Sequence, residues 1–212
     1  MISTSIKVLQ VNLNKSQTAT ESALQLAIEL KVDLVLVQEP WLAPKDPDKD
    51  YSSTRSVLHP SFTQILPIVQ ELRPRTLAYI ARGFRPIVSL VSIVDPDILI
   101  LDIIEGSQTL QLVNIYNKDS QEEGGPRTLE RALYNRAISP NTVILGDFNT
   151  HHPWWDPLAR KTQGADTLVE WIESKDLALL NTPGVGTFFR PNLARESILD
   201  LTFASSSIVS RV

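Results

Sequence analysis

Apolar and polar positions change period several times along this chain. Residues 6–11 alternate loosely and run out into the amide-rich "QVNLN", the pattern of a half-buried strand. Ser16 can cap a helix in which Ala19, Ala23, Leu26, Ala27 and Leu30 recur at helical spacing. Residues 33–38, "DLVLVQ", then form a compact apolar strand that stops at Glu39 and Pro40. Strand, helix and strand over this distance predict a βαβ-like unit. A polar, proline-rich loop follows, from Trp41 to about Pro60.

From Phe62 the chain becomes β-rich. "FTQILPIV", "TLAYIAR", "IVSLVSIV", "DILILDII" and "TLQLVNIY" are separated by short Gly, Pro or Asp breaks, a spacing that suits antiparallel pairing. A helix is expected over 126–137, with Leu129, Leu133 and Ala137 on one face, and a strand over 142–147. A second helix, 166–175, carries Leu168, Trp171 and Ile172; strands over 177–180, 187–189 and 198–204 finish the chain. There is no internal repeat, low-complexity tract or second-domain boundary. Mixed, mainly antiparallel sheets with helices between them read as an α/β sandwich.

The 212 residues suit one domain with a substantial core. Cysteine is absent, which removes disulfides, thiolate metal sites and Cys nucleophiles. The net charge of -4 argues against holding nucleic acid by bulk electrostatics, although a nuclease needs only a local basic edge around an acidic metal site. The start "MISTSIKVLQV" lacks the basic, then apolar, pattern of a signal peptide, and no stretch approaches a membrane span. A nuclear or other intracellular location, with no membrane partner, is the expectation.

Candidate chemistry gathers where strands end. In "VILGDFNTHHPWWD", residues 143–156, an apolar run stops on Gly146 and Asp147, followed by Asn149, two histidines and two tryptophans. An Asx-type turn explains part of this. Asn12 with Asn14, Glu39, Tyr116 and Asp200 also stand at or near strand ends. Turn-forming or solvated ends account for the first three taken singly. Asp200 interrupts the apolar "SILDLTFA", and a buried aspartate needs a partner. Together, carboxylates and amides are hard oxygen donors, suited to Mg2+ or Mn2+ rather than zinc. Such an ion beside a carboxylate that activates water is what metal-assisted phosphodiester hydrolysis requires.

The pieces "QVNLNKS", "DLVLVQEPWL", "RPRTLAYIAR", "LVNIYNKD", "ILGDFNTHHPWW" and "SILDLTFAS" resemble, in order, the endonuclease/exonuclease/phosphatase superfamily of DNase I and the exonuclease III-like abasic-site endonucleases. The likeness is greatest to the endonuclease domain of non-LTR (LINE-type) retrotransposons. The resemblance implies a four-layer α/β sandwich of two mixed, mainly antiparallel sheets flanked by helices. It places Asn12 and Glu39 at the metal, and Tyr116 at the scissile phosphate or in support of the site. Asp147 positions or deprotonates the attacking water, and Asn149 orients the phosphate. Asn14, Ser197 and His151 fall on the substrate side. The implied partners are double-stranded DNA and a downstream reverse transcriptase in the parent polypeptide.

Ser197 and Asp200 match a Ser-x-x-Asp pair whose aspartate orients a catalytic histidine. In the family that histidine lies on the last strand, a couple of dozen residues further on, in a Ser-Asp-His sequence. The histidines here are His59, His151 and His152. Residues 1–212 are therefore expected to form the domain without its C-terminal strand, as a fragment or as a decayed copy, with impaired activity. An inactive remnant and a superfamily phosphatase or abasic-site endonuclease are the competing expectations. Trp154 and Trp155 are expected to pack beneath the site.

Overall fold

The computed structural model describes residues 5–44, 55–67, 72–91, 93–118, 127–189 and 195–212. Strand β1 (Val8–Asn12) runs parallel to β2 (Leu34–Gln38), and helix α1 (Gln17–Glu29) connects them, as the βαβ-like pattern predicts. Ser16 caps the helix, its hydroxyl accepting from the Ala19 N–H at 3.1 Å. The fully buried positions of α1 are Thr20, Leu24 and Ala27, whereas Leu26 and Leu30 are exposed. The buried stripe is thus rotated toward Leu24 relative to the expected one.

Every residue of β2 is buried. Side chains of a strand alternate between faces, so complete burial needs cover on both sides. Val35 and Val37 meet Leu24 and Ala27 of α1, while Leu34 and Leu36 face a second sheet. Antiparallel β4 (Thr76–Ala81) and β3 (Phe62–Ile65) extend the first sheet in the order β1-β2-β4-β3. The second sheet has six strands: β5 (Ile87–Val91), β6 (Ile98–Glu105), β7 (Gln108–Tyr116), β8 (Thr142–Asp147), β9 (Leu177–Leu179) and β10 (Asp200–Ser205). Their order is β5-β6-β7-β8-β10-β9, antiparallel except for β7 with β8.

Leu99, Leu101, Leu112, Val143, Leu145 and Ala204 pack against Leu34 and Leu36 between the sheets. On the outer face of the second sheet, Val113, Ile115, Ile144, Leu201 and Phe203 meet Leu168, Trp171 and Ile172 of helix α2 (Ala165–Ser174). This is the four-layer sandwich expected from the sequence. Leu129 and Leu133 join the same core from a single wide helical turn, Leu129–Leu133, shorter than the helix expected over 126–137; Pro126 lies outside the described residues. Residues 68, 69 and 92 of the expected strands also lie outside them.

Two strand expectations need correction. Residues 187–189 make only an isolated bridge, Phe188 with Ser197, and β10 begins at Asp200 rather than 198. The cause is local: the Thr187 hydroxyl accepts from the N–H groups of both Leu199 and Asp200 at 3.1 Å, so these donors are taken by a side chain instead of a ladder.

The period-two rule also positions the polar residues. On β8, Val143 and Leu145 point into the seam between the sheets, so Asp147 does too. On β7, Leu112 shares that face with Asn114 and Tyr116, and on β10 Ala204 shares it with Asp200. The polar ends of the strands therefore collect at one end of the seam. Along the opposite edge of β1, which among the described residues pairs only with β2, a groove of about 730 Å³ opens between the sheets. Val8, Gln10, Leu112, Val143, Leu145 and Ile208 are among its walls.

Candidate active site

Tyr116, Asp147 and Asp200 are direct neighbours across three adjacent strands. Tyr116 pairs in register with Asp147 on β8, and Asp147 with Asp200 on β10. Gly146 makes this row possible. Its φ is 150°, and a Cβ there would fall 1.9 Å from the Ile115 carbonyl oxygen. Only glycine lets β8 approach β7 so closely just before the carboxylate.

Across the seam, Asn12 at the end of β1 donates from Nδ2 to Asp147 Oδ2 at 2.9 Å. The Asn149 N–H donates to the other oxygen, Oδ1, at 3.0 Å. Burial pushes the Asp147 carboxyl up to about 6; the Asn12 amide and the Asn149 N–H oppose that rise, while the charges of Asp200 and Glu39 add to it. Gln38 takes the inward slot of β2, and the next residue, Glu39, adopts a left-handed φ of 47° that brings its side chain to the cleft. The Glu39 N–H is held by the Arg75 carbonyl at 2.9 Å. Its carboxylate faces the Tyr116 hydroxyl and meets the Lys15 ammonium at 3.1 Å. Burial, then the charges of Glu39 and Asp147, raise the Tyr116 pKa, so the hydroxyl stays a donor.

Of the residues singled out from sequence, Asn12, Asn14, Glu39, Tyr116, Asp147, Asn149 and Asp200 line one cleft of about 670 Å³. Ser197 and His151 lie outside its lining. Ser197 instead exchanges backbone bonds with Phe188, which carry the bridge. His151 is part of a braced loop: its Nδ1 faces Asp156 Oδ2 at 3.7 Å, and Asp156 Oδ1 accepts from Arg195 at 2.7 Å. Trp155 is fully buried in that loop and donates from Nε1 to the Thr150 carbonyl at 3.1 Å, while Trp154 is partly exposed.

Several supporting residues were not anticipated. Gln10 donates to Asp200 Oδ1 at 2.7 Å and to Gln38 Oε1 at 2.6 Å; Gln38 in turn donates to Asn114 Oδ1 at 2.5 Å. Asn114 closes the chain on the carbonyls of Val37 and Leu77. A buried amide relay thus ties both sheets beneath the cleft. Burial raises the Asp200 pKa, and the Gln10 and Thr187 bonds restrain it. Asn117 pins the loop after β8 by donating to the Phe148 carbonyl at 2.7 Å. The signal was present: "DLVLVQ" and "TLQLVNIY" carry amides at core-facing parity, where a polar side chain needs a partner.

Among the described residues no three His, Cys, Asp or Glu side chains converge as a metal cage. The cleft suits instead an ion that takes one or two carboxylates, an amide oxygen and water, which is the habit of Mg2+. Residues 110–212 match the family model described as endonuclease-reverse transcriptase. The endonuclease domain of TRAS1, a telomere-specific non-LTR retrotransposon, superposes with a TM-score of 0.72 at 18% identity, covering 97% of this chain and 88% of that one. The family resemblance read from the sequence holds. This chain has the endonuclease/exonuclease/phosphatase fold.

Two abasic-site (AP) endonucleases share that fold. LMAP from Leishmania major has a TM-score of 0.64 at 16% identity, covering 97% of this chain and 80% of that one. An enzyme from Archaeoglobus fulgidus gives 0.63 at 18%, covering 98% and 89%. No curated protein matches. No helix among the described residues is long and apolar enough to cross a membrane.

Proposed function

We propose that this chain is a metal-dependent endonuclease domain of the retrotransposon type, which nicks one strand of double-stranded DNA by phosphodiester hydrolysis. The observation that carries the reading is the row Tyr116, Asp147, Asp200 in register, faced across the seam by Asn12 and Glu39. Glu39 and Asn12 would hold Mg2+ or Mn2+, and that ion supplies charge neutralisation at a phosphate. Asp147, with a pKa near 6, is largely ionised at neutral pH, and it is poised to take the proton of an attacking water. Its two oxygens are fixed by Asn12 and Asn149, so the base is oriented before substrate arrives. Asn149 and Tyr116 line the cleft beside it and offer donors to phosphate oxygens. Hydrolysis forms the bond from water to phosphorus and breaks phosphorus–O3′, leaving a 3′ hydroxyl that a reverse transcriptase can extend. The endonuclease-reverse transcriptase match supports that partner.

The edge of β1 that is unpaired among the described residues, and the groove beside it, support a further reading, that one more strand with a histidine toward Asp200 completes the domain. The test of the main reading is conversion of supercoiled plasmid to the nicked circle with Mg2+ and not with EDTA. A panel of abasic duplex and inositol phosphate separates the retrotransposon reading from its superfamily alternatives. Hydrolysis of inositol phosphate alone, or no hydrolysis of any substrate in Mg2+ or Mn2+, overturns it.

A further inference from the structure

Asn14 and Lys15 are consecutive residues with left-handed φ values, 45° and 57°. Side chains other than glycine rarely adopt that conformation, and two in succession persist only where surrounding bonds hold them. Here the Asn14 N–H donates to Asn12 Oδ1 at 2.9 Å and the Lys15 N–H to the Glu39 carbonyl at 2.8 Å. The turn aims the Lys15 side chain back over the cleft, where its ammonium meets Glu39 Oε1 at 3.1 Å. The two partners differ in freedom: the Lys15 side chain is 66% exposed and that of Glu39 only 14%. One is a solvated arm, the other a fixed carboxylate.

The charge of the cleft makes that arm informative. Its described lining carries the carboxylates of Glu39, Asp147 and Asp200 and no lysine or arginine. A DNA strand brings further negative charge to the same place, and affinity for it comes chiefly from Lys and Arg at the phosphates. We propose that Lys15 is an exchangeable counter-ion: it neutralises Glu39 while the cleft is empty, and moves to a phosphate of the bound strand once a divalent cation takes Glu39. This rests on the metal-dependent reading above. Lys15 then opposes the metal in the free protein and favours DNA in the loaded one.

The test uses the whole chain with Mn2+ as probe. At low salt and without DNA, Lys15→Met should bind Mn2+ roughly two- to five-fold more tightly than the unaltered protein, the range an exposed ion pair allows. With Mn2+ and a short duplex, in an Asp147→Asn background that prevents turnover, Lys15→Met should reduce the slope of log affinity against log salt by about one. In EDTA the slopes should coincide, because Lys15 is then held by Glu39. An unchanged Mn2+ affinity or an unchanged slope overturns the exchange, while Mn2+ binding that Glu39→Gln abolishes leaves the metal site standing. Mn2+ binding that survives Glu39→Gln overturns that site and the Lys15 proposal with it.

Discussion

Asn12 and Asp147, 135 positions apart, meet where the two sheets face each other, and the amide supports the charged form of a carboxylate that burial disfavours. The folded-state pKa of about 6 lies above the ordinary 3.8, so the folded chain binds this proton more tightly than the unfolded chain. Ionised Asp147 therefore lowers stability. The cost is absent at pH values below the ordinary pKa, grows as pH rises toward the folded pKa, and is constant beyond it, at about 3 kcal/mol by linkage. In EDTA, Asp147→Asn should remove this slope, so that its Tm relative to the unaltered chain rises between pH 4 and pH 7. Parallel Tm curves for the two proteins would refute the shift.

Losing the Asn12 donor should raise the Asp147 pKa further, since its amide is the main group opposing the burial effect. The acid limb of kcat/KM, which reports groups of the free enzyme, should then move to higher pH in Asn12→Ala. A drop in rate at every pH with an unmoved limb would assign Asn12 to substrate or metal alone.

Glu39 holds the Lys15 ammonium and faces the Tyr116 hydroxyl from one partly buried carboxylate. Glu39→Ala should reduce Mg2+-dependent nicking on the order of 10²-fold or more, with a nearly native circular dichroism spectrum. Tyr116→Phe keeps the ring and loses the donor, so kcat should fall with little change in KM. Nicking by Glu39→Ala at the unaltered rate at every Mg2+ concentration would remove Glu39 from the site.

Gly146 is the tightest backbone contact at the site. Adding one methyl group must push β8 from β7 at the residue before Asp147, because the obstructing atom is the Ile115 carbonyl oxygen rather than a flexible side chain. Gly146→Ala should cost about 3 kcal/mol or more, read by urea unfolding, and displace the Asp147 carboxylate from Tyr116. Native stability would mean that the strands accommodate the methyl group by a small shift.

The succession of strands along the chain and the polar residues at their ends were legible because period-two alternation places alternate residues on one face, and "VILGD" carries that phase up to Asp147. What remained hidden depends on three-dimensional partners. Gln10, Gln38 and Asn114 form one relay only because β1, β2 and β7 bring them together, and no local pattern encodes a contact between sheets. His151 stood beside the motif in sequence, yet the fold turns it toward Asp156 and away from the cleft lining. The apparent strand over 187–189 was lost to one hydroxyl, that of Thr187, which captures two backbone donors.

Asp200 is a partly buried carboxylate whose Oδ1 accepts from an amide, Gln10, where the resemblance calls for an imidazole. An amide can fix the carboxylate but cannot exchange a proton near neutral pH, so residues 1–212 should nick plasmid only weakly. The edge of β1 that is unpaired among the described residues borders the same region, and its groove is walled by Gln10, Val8 and Leu145. Extending the chain past Val212 with a strand-length segment, apolar toward the seam and carrying a histidine against Asp200, should raise both the Tm and the nicking rate. The same segment with alanine for that histidine should raise the Tm alone, separating sheet completion from chemistry. If residues 1–212 already nick as fast as the extended chain, the Asp200–Gln10 pair suffices, and Gln10→Ala becomes the substitution that should abolish activity.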